Sequence, residues 1–287
     1  MNDLLLKTEN LCYTYEGNTS PALDHLDLSI RRGKRVACMG ANGSGKSTFF
    51  LCCNGILRPD SGRILFAGQP LDYSRKGLLS LRSQVGIVFQ DPDNQLFCAS
   101  VFQEISFGPL NLGLDEATVR KRVSAVMDRL GITPYADRPV HALSGGQKKL
   151  VAIADILVME PSLILLDEPV ASLDPLHTRM VREVIDKIAG EGITVVTATH
   201  DADYAWSWAD EILLLGEGRL LAFGSPAEVF SRKDLLCKAN LQPPTVLQLS
   251  AALRRGGLLP ASLPTPRTLK ELELHIDQIS SLSLIHI

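Results

Sequence analysis

The sequence predicts an α/β protein with a mostly parallel sheet covered by helices, and three features lead there. Short apolar, β-branched runs alternate with helical stretches along most of the chain, the pattern that crossover units produce. Leu163 to Leu166 is a continuous apolar run, which suits a strand buried on both faces. A glycine-rich loop, Gly40 to Gly45, joins a short apolar run to a helical stretch.

Leu4 to Tyr15 reads as a strand because it is apolar and β-branched and meets turn residues at Glu16-Gly17-Asn18. Leu26 to Ile30 alternates polar and apolar residues before the turn at Arg32-Gly33. Val36 to Met39 is a short strand, and Lys46 to Leu57 a helix. Ser61 to Ala67 and Val85 to Phe89 are further strands. From Val101 to Ile156 the pattern turns helical. Between Asp115 and Leu130 the residues Val119, Val123, Val126, Met127 and Leu130 fall on one helical face. Asp115 is placed to cap that helix and Gly131 to stop it. Thr178 to Ile188 is a helix, and Thr194 to Thr199 and Glu211 to Leu215 are strands. After Ser225 prolines accumulate (Pro226, Pro243, Pro244, Pro260, Pro264, Pro266), and residues 226–281 read as a less regular appendage.

Bulk properties exclude several classes. The 287 residues carry a net charge of -3, which argues against a nucleic-acid polycation. Six scattered cysteines without a Cys-x-x-Cys pair read as reduced thiols, and the six histidines and six cysteines do not cluster at metal-ligand spacing. The three-Leu run near the N-terminus is too short for a signal segment. The most apolar stretch, Leu150 to Leu166, is interrupted by Asp155, Glu160 and Pro161, so a membrane role is expected to come through a partner. Residues 282–287 resemble a translated adaptor sequence and are expected to be a non-native tail.

The chemistry begins at Gly40, Ala41, Asn42, Gly43, Ser44, Gly45, Lys46, Ser47 and Thr48, which fit G-x-x-x-x-G-K-[ST]. The pattern lies after a strand and opens a helix, as phosphate binding requires. Glycines let backbone N–H groups curl round phosphate oxygens, and the helix N-terminus adds partial positive charge. Lys46 is expected to reach the β- and γ-phosphates and Ser47 to hold Mg²⁺. Asp167 ends the apolar run at 163–166, where its carboxylate can meet the same ion, and Glu168 follows, placed to polarise an attacking water. An acidic pair alone would be a weak signal; paired with the loop at Gly40 it is a strong one.

Five further elements carry a resemblance. Leu143-Ser144-Gly145-Gly146-Gln147 resembles the signature of ABC proteins, Gln90 their Q-loop glutamine, and Ser172-Leu173-Asp174 their D-loop. His200, ending its strand, resembles the switch histidine, and Tyr15 the A-loop aromatic that stacks on adenine. The motif order is right from about residue 4 to 230. The resemblance implies a P-loop NTPase (RecA-like) core with an antiparallel β subdomain and an α-helical subdomain at about 91–156, all within residues 1–225. It implies ATP and Mg²⁺ as cofactors, with Gln90 joining Ser47 and Asp167 at the ion. It implies a second ATPase subunit, identical or paralogous, whose ATP meets Ser144, Gly145, Gly146 and Gln147, and it counts Asp174 among the nucleotide-binding residues. Glu168, His200 and Gln90 carry the catalytic roles.

The stretch from Arg82 to Phe97, with Glu104 to Leu114 and Val151 to Leu157, looks like energy-coupling-factor ATPases and their cobalt-import branch. That implies an integral membrane coupling protein and a substrate-capture protein as partners, no nucleic acid, and a position on the cytoplasmic face of the membrane. The implied cargo is Co²⁺, with Ni²⁺ or a vitamin as alternatives. The weakly charged loop from Asn94 to Phe107 is expected to offer a groove to the membrane partner, a buried core segment being the other reading. Two departures stand out: Lys148-Lys149-Leu150 where an Arg is common, and Val170 where Thr is common. A DNA-acting ABC ATPase would need a long coiled coil, for which the interval from Ser47 to Ser144 has no room. A ribosome-acting one would carry two phosphate loops, and only one occurs.

Overall fold

The computed structural model describes residues 3–284. The chain opens with two long antiparallel strands, β1 (Leu4–Tyr13) and β2 (Leu23–Arg31), followed by β3 (Arg35–Met39) and helix α1 (Lys46–Cys53). A β-rich stretch follows: β4 (Ser61–Phe66), β5 (Gln69–Pro70), helix α2 (Arg75–Gln84) and β6 (Val85–Val88). Three helices come next, α3 (Val101–Asn111), α4 (Glu116–Leu130) and α5 (Gly145–Leu157). The chain returns to the core through β7 (Leu163–Asp167), α6 (Pro175–Gly190), β8 (Thr194–Ala198), α7 (Ala202–Trp208), β9 (Glu211–Gly216) and β10 (Arg219–Gly224). Four helices close it: α8 (Pro226–Ser231), α9 (Lys233–Lys238), α10 (Thr245–Arg255) and α11 (Leu269–Leu284).

The strands form two sheets. One is antiparallel in the order β2-β1-β4-β5, and the other runs β10-β9-β3-β8-β7-β6. In the second sheet every pair is parallel except β9 with β10. The expected mostly parallel core and the antiparallel β layer are therefore both present.

The period of two along the central strands explains why both faces are covered. Val36 and Cys38 of β3 join the core beneath the antiparallel sheet, and Ala37 and Met39 join the core beneath the helices. Leu163 and Leu165 of β7 point one way, Ile164 and Leu166 the other. Phe49 and Phe50 of α1 are both fully buried and contribute about 2 kcal/mol each. At Gly86 of β6 a side chain is impossible, because a Cβ would lie 1.8 Å from Cγ2 of Ile156 on α5.

Helix ends follow local chemistry. Asp115 caps α4 by accepting from Thr118 N, and Gly131 ends it at φ +67°. Helix α1 stops at Cys53 rather than Leu57. Gly55 turns left-handed there (φ +71°), and the Asn54 side-chain amide donates to Val85 O across 2.6 Å.

Residues 226–281 depart from expectation. They are not irregular: α8 to α10 and most of α11 lie there. Two of the six prolines sit at helix starts, Pro226 at the first position of α8 and Pro244 as the cap of α10, where a missing N–H costs nothing. Arg267 fastens this region to α7 by donating to Trp206 O and Ala209 O, and Trp206 Nε1 returns a hydrogen bond to Pro266 O. Of the tail at 282–287, residues 285–287 lie outside the described residues. Among the described residues no helix is long and apolar enough to cross a membrane.

Candidate nucleotide site

Strands β3, β7 and β8 end side by side, and their C-terminal loops gather the phosphate-binding candidates. Thr199 N donates to Cys38 O, and Glu168 N to Ala198 O, which locks the three ends together. After β3 the loop turns through Gly40 (φ +149°), Gly43 (φ +80°) and Gly45 (φ +102°). At Gly40 a Cβ would meet Leu215 O at 2.3 Å, so the backbone conformation and the space both demand glycine.

The loop delivers the chain into α1 with no side chain capping its first N–H groups. Lys46 is buried, and its Nζ donates to Gly40 O at 2.8 Å and Ala41 O at 3.0 Å, so its charge is held inside the loop. The Ser44 hydroxyl is buried with no hydrogen-bond partner. Uncapped helix N–H groups, an enclosed ammonium and an orphaned hydroxyl are the donor set of a polyphosphate site. Ser47 is exposed at the start of α1 and Asp167 is buried at the end of β7, so a hydroxyl and a carboxylate are available for a hard divalent ion. Asn42 and Gly43 lie exposed at the loop tip.

Glu168 adopts φ +45°, a conformation that costs about 1–3 kcal/mol and is held here by neighbours. Its carboxylate meets His200 Nδ1 at 3.1 Å. Tyr15 stands at the mouth, its hydroxyl 3.2 Å from Thr48 Oγ1 and its ring edge-on to Tyr13. Tyr15, the loop from Gly40 to Thr48, Asp167, Glu168 and His200 thus belong to one neighbourhood.

Ser144, Gly145, Gly146, Gln147 and Asp174 belong to another. Ser144 caps α5 in a reciprocal box: Gln147 N donates to Ser144 Oγ, and Ser144 N to Gln147 Oε1. Ser144 and Gly145 are exposed there. Asp174 caps α6 and holds the His177 ring through Nδ1, and a Cβ at Gly146 would lie 2.2 Å from that ring. Gln90 lies in a cleft of about 860 Å³ that it shares with Asp167 and Gly145.

Two residues here escaped sequence reasoning. His177 fits the D-loop onto the glycines at 145–146, a meeting that no local spacing announces. Lys149 is buried, and its Nζ donates to Phe89 O at 2.9 Å and Gln90 O at 2.8 Å. Burial lowers its pKa to about 8. Lys148 adds an ion pair to Asp93 at 2.5 Å. The only clue in the sequence was the replacement of the usual Arg by this Lys-Lys-Leu run.

A polar cluster lies between Gln90 and the helices. The Gln95 side chain accepts from Phe89 N and donates to Ala152 O, and Glu104 accepts from Phe97 N and Cys98 N. Beside them burial, then the charge of Glu104, pushes the Asp155 carboxyl up to about 7. The folded chain therefore keeps a proton that the unfolded chain sheds near pH 4. The stability from this group is complete below about pH 4 and is lost as pH rises through about 7. Asp155→Asn is expected to stabilise the protein at pH 8 by on the order of 2 kcal/mol and to be nearly neutral at about pH 4. Urea midpoints of both proteins at the two pH values check this, and an equal difference at both would refute it.

The fold and the glycine loop define an ATP-binding cassette, a P-loop nucleotide hydrolase with a helical region attached. The ABC transporter family model matches residues 23–171. The energy-coupling factor transporter ATP-binding protein EcfA3 of Clostridium perfringens is 48% identical over 255 residues, covering 88% of this chain and 89% of that protein. The structure of cbiO1 from Clostridium perfringens, part of the ABC transporter complex cbiONQ, aligns at TM-score 0.73 with 47% identity, over 88% of this chain and all of that one. The dimeric post-hydrolysis state of the cassette MJ0796 bound to ADP and Pi aligns at TM-score 0.70 with 26% identity, over 77% of this chain and 99% of that one. The chain belongs to the ABC transporter family, and within it to the ATP-binding proteins of energy-coupling factor transporters. It is an ATPase subunit of such a transporter.

Proposed function

We propose that two copies of this chain, or this chain and a paralogue, close on two ATP molecules at the cytoplasmic face of a membrane and drive import of a small solute, Co²⁺ first. The observation that carries the dimer is the placement of Ser144 and Gly145. They sit exposed at the start of α5, where Gly145 lines the cleft that also holds Gln90 and Asp167, open to a second chain. A γ-phosphate bound by one subunit's loop would be completed by the other subunit's α5.

In this reading Gly40 to Thr48 wrap the phosphates, Lys46 neutralises them and Tyr15 packs on the adenine. Mg²⁺ would be held by Ser47, Asp167 and Gln90, and when bound it neutralises charge on the β- and γ-phosphates. Glu168 orients and deprotonates the attacking water, and His200 braces the Glu168 carboxylate and the γ-phosphate. Ser144, Gly145, Gly146, Gln147 and Asp174 act across the seam, with His177 setting the distance between α5 and α6. Loss of the γ-phosphate removes a contact shared by two chains, so the pair loosens.

The membrane coupling protein would dock beside α3. Phe97 and Phe107 are exposed there and pack edge to face, with centroids 4.9 Å apart, and Leu110 is exposed beside them. Val101 and Ile105 of the same segment are buried and belong to the core, whereas Asn94, Ala99 and Gln103 are exposed. Cobalt as cargo is supported by the likeness to cbiO1; Ni²⁺ or a vitamin is the second reading. The cargo would cross the membrane through the partner proteins, not through this chain.

Mixing Ser144→Arg with wild type tests the shared site. If both sites of a pair must be intact, an equal mixture should retain roughly a quarter of wild-type ATPase activity rather than half. A linear dilution curve would remove the cross-subunit role of Ser144.

A further inference from the structure

At the far end of the antiparallel sheet, β1 and β2 lose their regular register twice, between Thr8 and Leu11 and again between Leu11 and Tyr13. Asn10 (φ +48°) and His25 (φ +49°) turn left-handed across this irregular stretch. The result brings Cys12 beside two residues of the neighbouring strand. Potential ligand atoms of Cys12, Asp24 and His25 all lie within 4.8 Å of one another. His25 N donates to Cys12 Sγ at 3.3 Å, and His25 Nδ1 lies 2.6 Å from Asp24 Oδ1.

We propose that Cys12, Asp24 and His25 form a site for a borderline-soft divalent transition ion, Zn²⁺ or Co²⁺. The donor set decides the class: one sulfur, one imidazole nitrogen and one carboxylate oxygen suit a four-coordinate ion, whereas Mg²⁺ and Ca²⁺ require oxygen. Zinc-ligand bonds of about 2.0–2.3 Å set neighbouring ligand atoms roughly 3.5 Å apart, so the ion would part His25 Nδ1 from Asp24 Oδ1 while keeping all three ligands within reach. The His25 ring is exposed, so an ion from solvent can reach it. Water takes the fourth position. On binding, the Cys12 thiol releases its proton to solvent, and His25 exchanges its hydrogen bond to Asp24 for a bond to the metal.

Asp24 is already fixed for this role. Arg219 Nε donates to its other oxygen, Oδ2, at 2.6 Å, leaving Oδ1 toward His25. Asp24 N donates to Gly218 O, and Gly218 N to Ser44 O, so the site lies two backbone hydrogen bonds from the phosphate loop. Sequence spacing concealed the cluster because thirteen positions and an irregular strand pairing separate Cys12 from His25. The site does not depend on which solute is transported.

Titration of reduced, tag-free, nucleotide-free protein with Co²⁺ tests the proposal. One equivalent should produce a thiolate-to-cobalt charge-transfer band with the visible bands of a four-coordinate ion, and Zn²⁺ should abolish both. Cys12→Ser should remove the charge-transfer band. His25→Ala, at an exposed position, should weaken Co²⁺ binding by about tenfold or more while the circular dichroism stays that of wild type. Cys98 and Cys237 are the other thiols with access to solvent, so a band that survives Cys12→Ser overturns the assignment. The absence of any thiolate band in saturated wild-type protein overturns it too.

Discussion

Glu168→Gln is expected to lower ATP turnover by about 10²–10⁴-fold while leaving ATP binding near wild type. The amide has almost the shape of the carboxylate but cannot take a proton from water. The strained backbone at residue 168 and the hydrogen bond of its N–H to Ala198 O are unaffected by the exchange. The nucleotide therefore still assembles the site, and only the chemical step is lost. If two chains share each γ-phosphate, the variant should accumulate as an ATP-bound pair. Steady-state hydrolysis and size-exclusion chromatography with and without ATP measure the two effects together. Full turnover in Glu168→Gln would assign the proton transfer to another group.

Lys46→Ala should weaken ATP binding by about a hundredfold or more. One ammonium serves two roles here: it donates to Gly40 O and Ala41 O inside the loop and supplies the nearest positive charge for polyphosphate. A charge-assisted hydrogen bond is worth about 1.5–3 kcal/mol, so losing one or two accounts for the size of the effect. Both Lys46→Ala and Lys46→Met leave two loop carbonyls without this donor, but Met keeps the apolar stem, so comparing the two separates lost stem packing from loss of the ammonium. Equilibrium binding of a fluorescent ATP analogue reads both variants. Near-normal affinity in both would undo the assignment of the Gly40 loop to phosphate.

Elements whose pattern is local were legible in the sequence. The apolar runs at Val36 to Met39, Leu163 to Leu166 and Thr194 to Thr199 are buried on both faces, so nothing in their surroundings blurs the signal. Helix α4 announces itself through its cap, its apolar stripe and its terminal glycine. Helix α2 does not, because Leu81 is its only buried residue and a ten-residue helix so little buried leaves few core positions to read. Strand β10 is an edge strand with a half-buried pattern, and α7 spans just seven residues, too few for a period to show. The proline-rich end misled for a physical reason: proline breaks a helix from the inside but fits its first turn.

The nucleotide neighbourhood divides in the same way. Gly40 to Thr48 and the Asp167-Glu168 pair stand out because their chemistry fixes their spacing along the chain. His177 against Gly146, Lys149 beneath Gln90, and Cys12 beside His25 arise only when separate elements meet, and no one-dimensional pattern encodes those meetings.

The paired lysines at the start of α5 have a mechanical consequence. Through Lys148 and Lys149 the backbone around Phe89 to Asp93 is riveted to the same helix whose tip carries Ser144. If the membrane partner docks on Phe97 and Phe107, a tug there would reach that tip as the swing of a rigid arm, not dissipate in a slack tether.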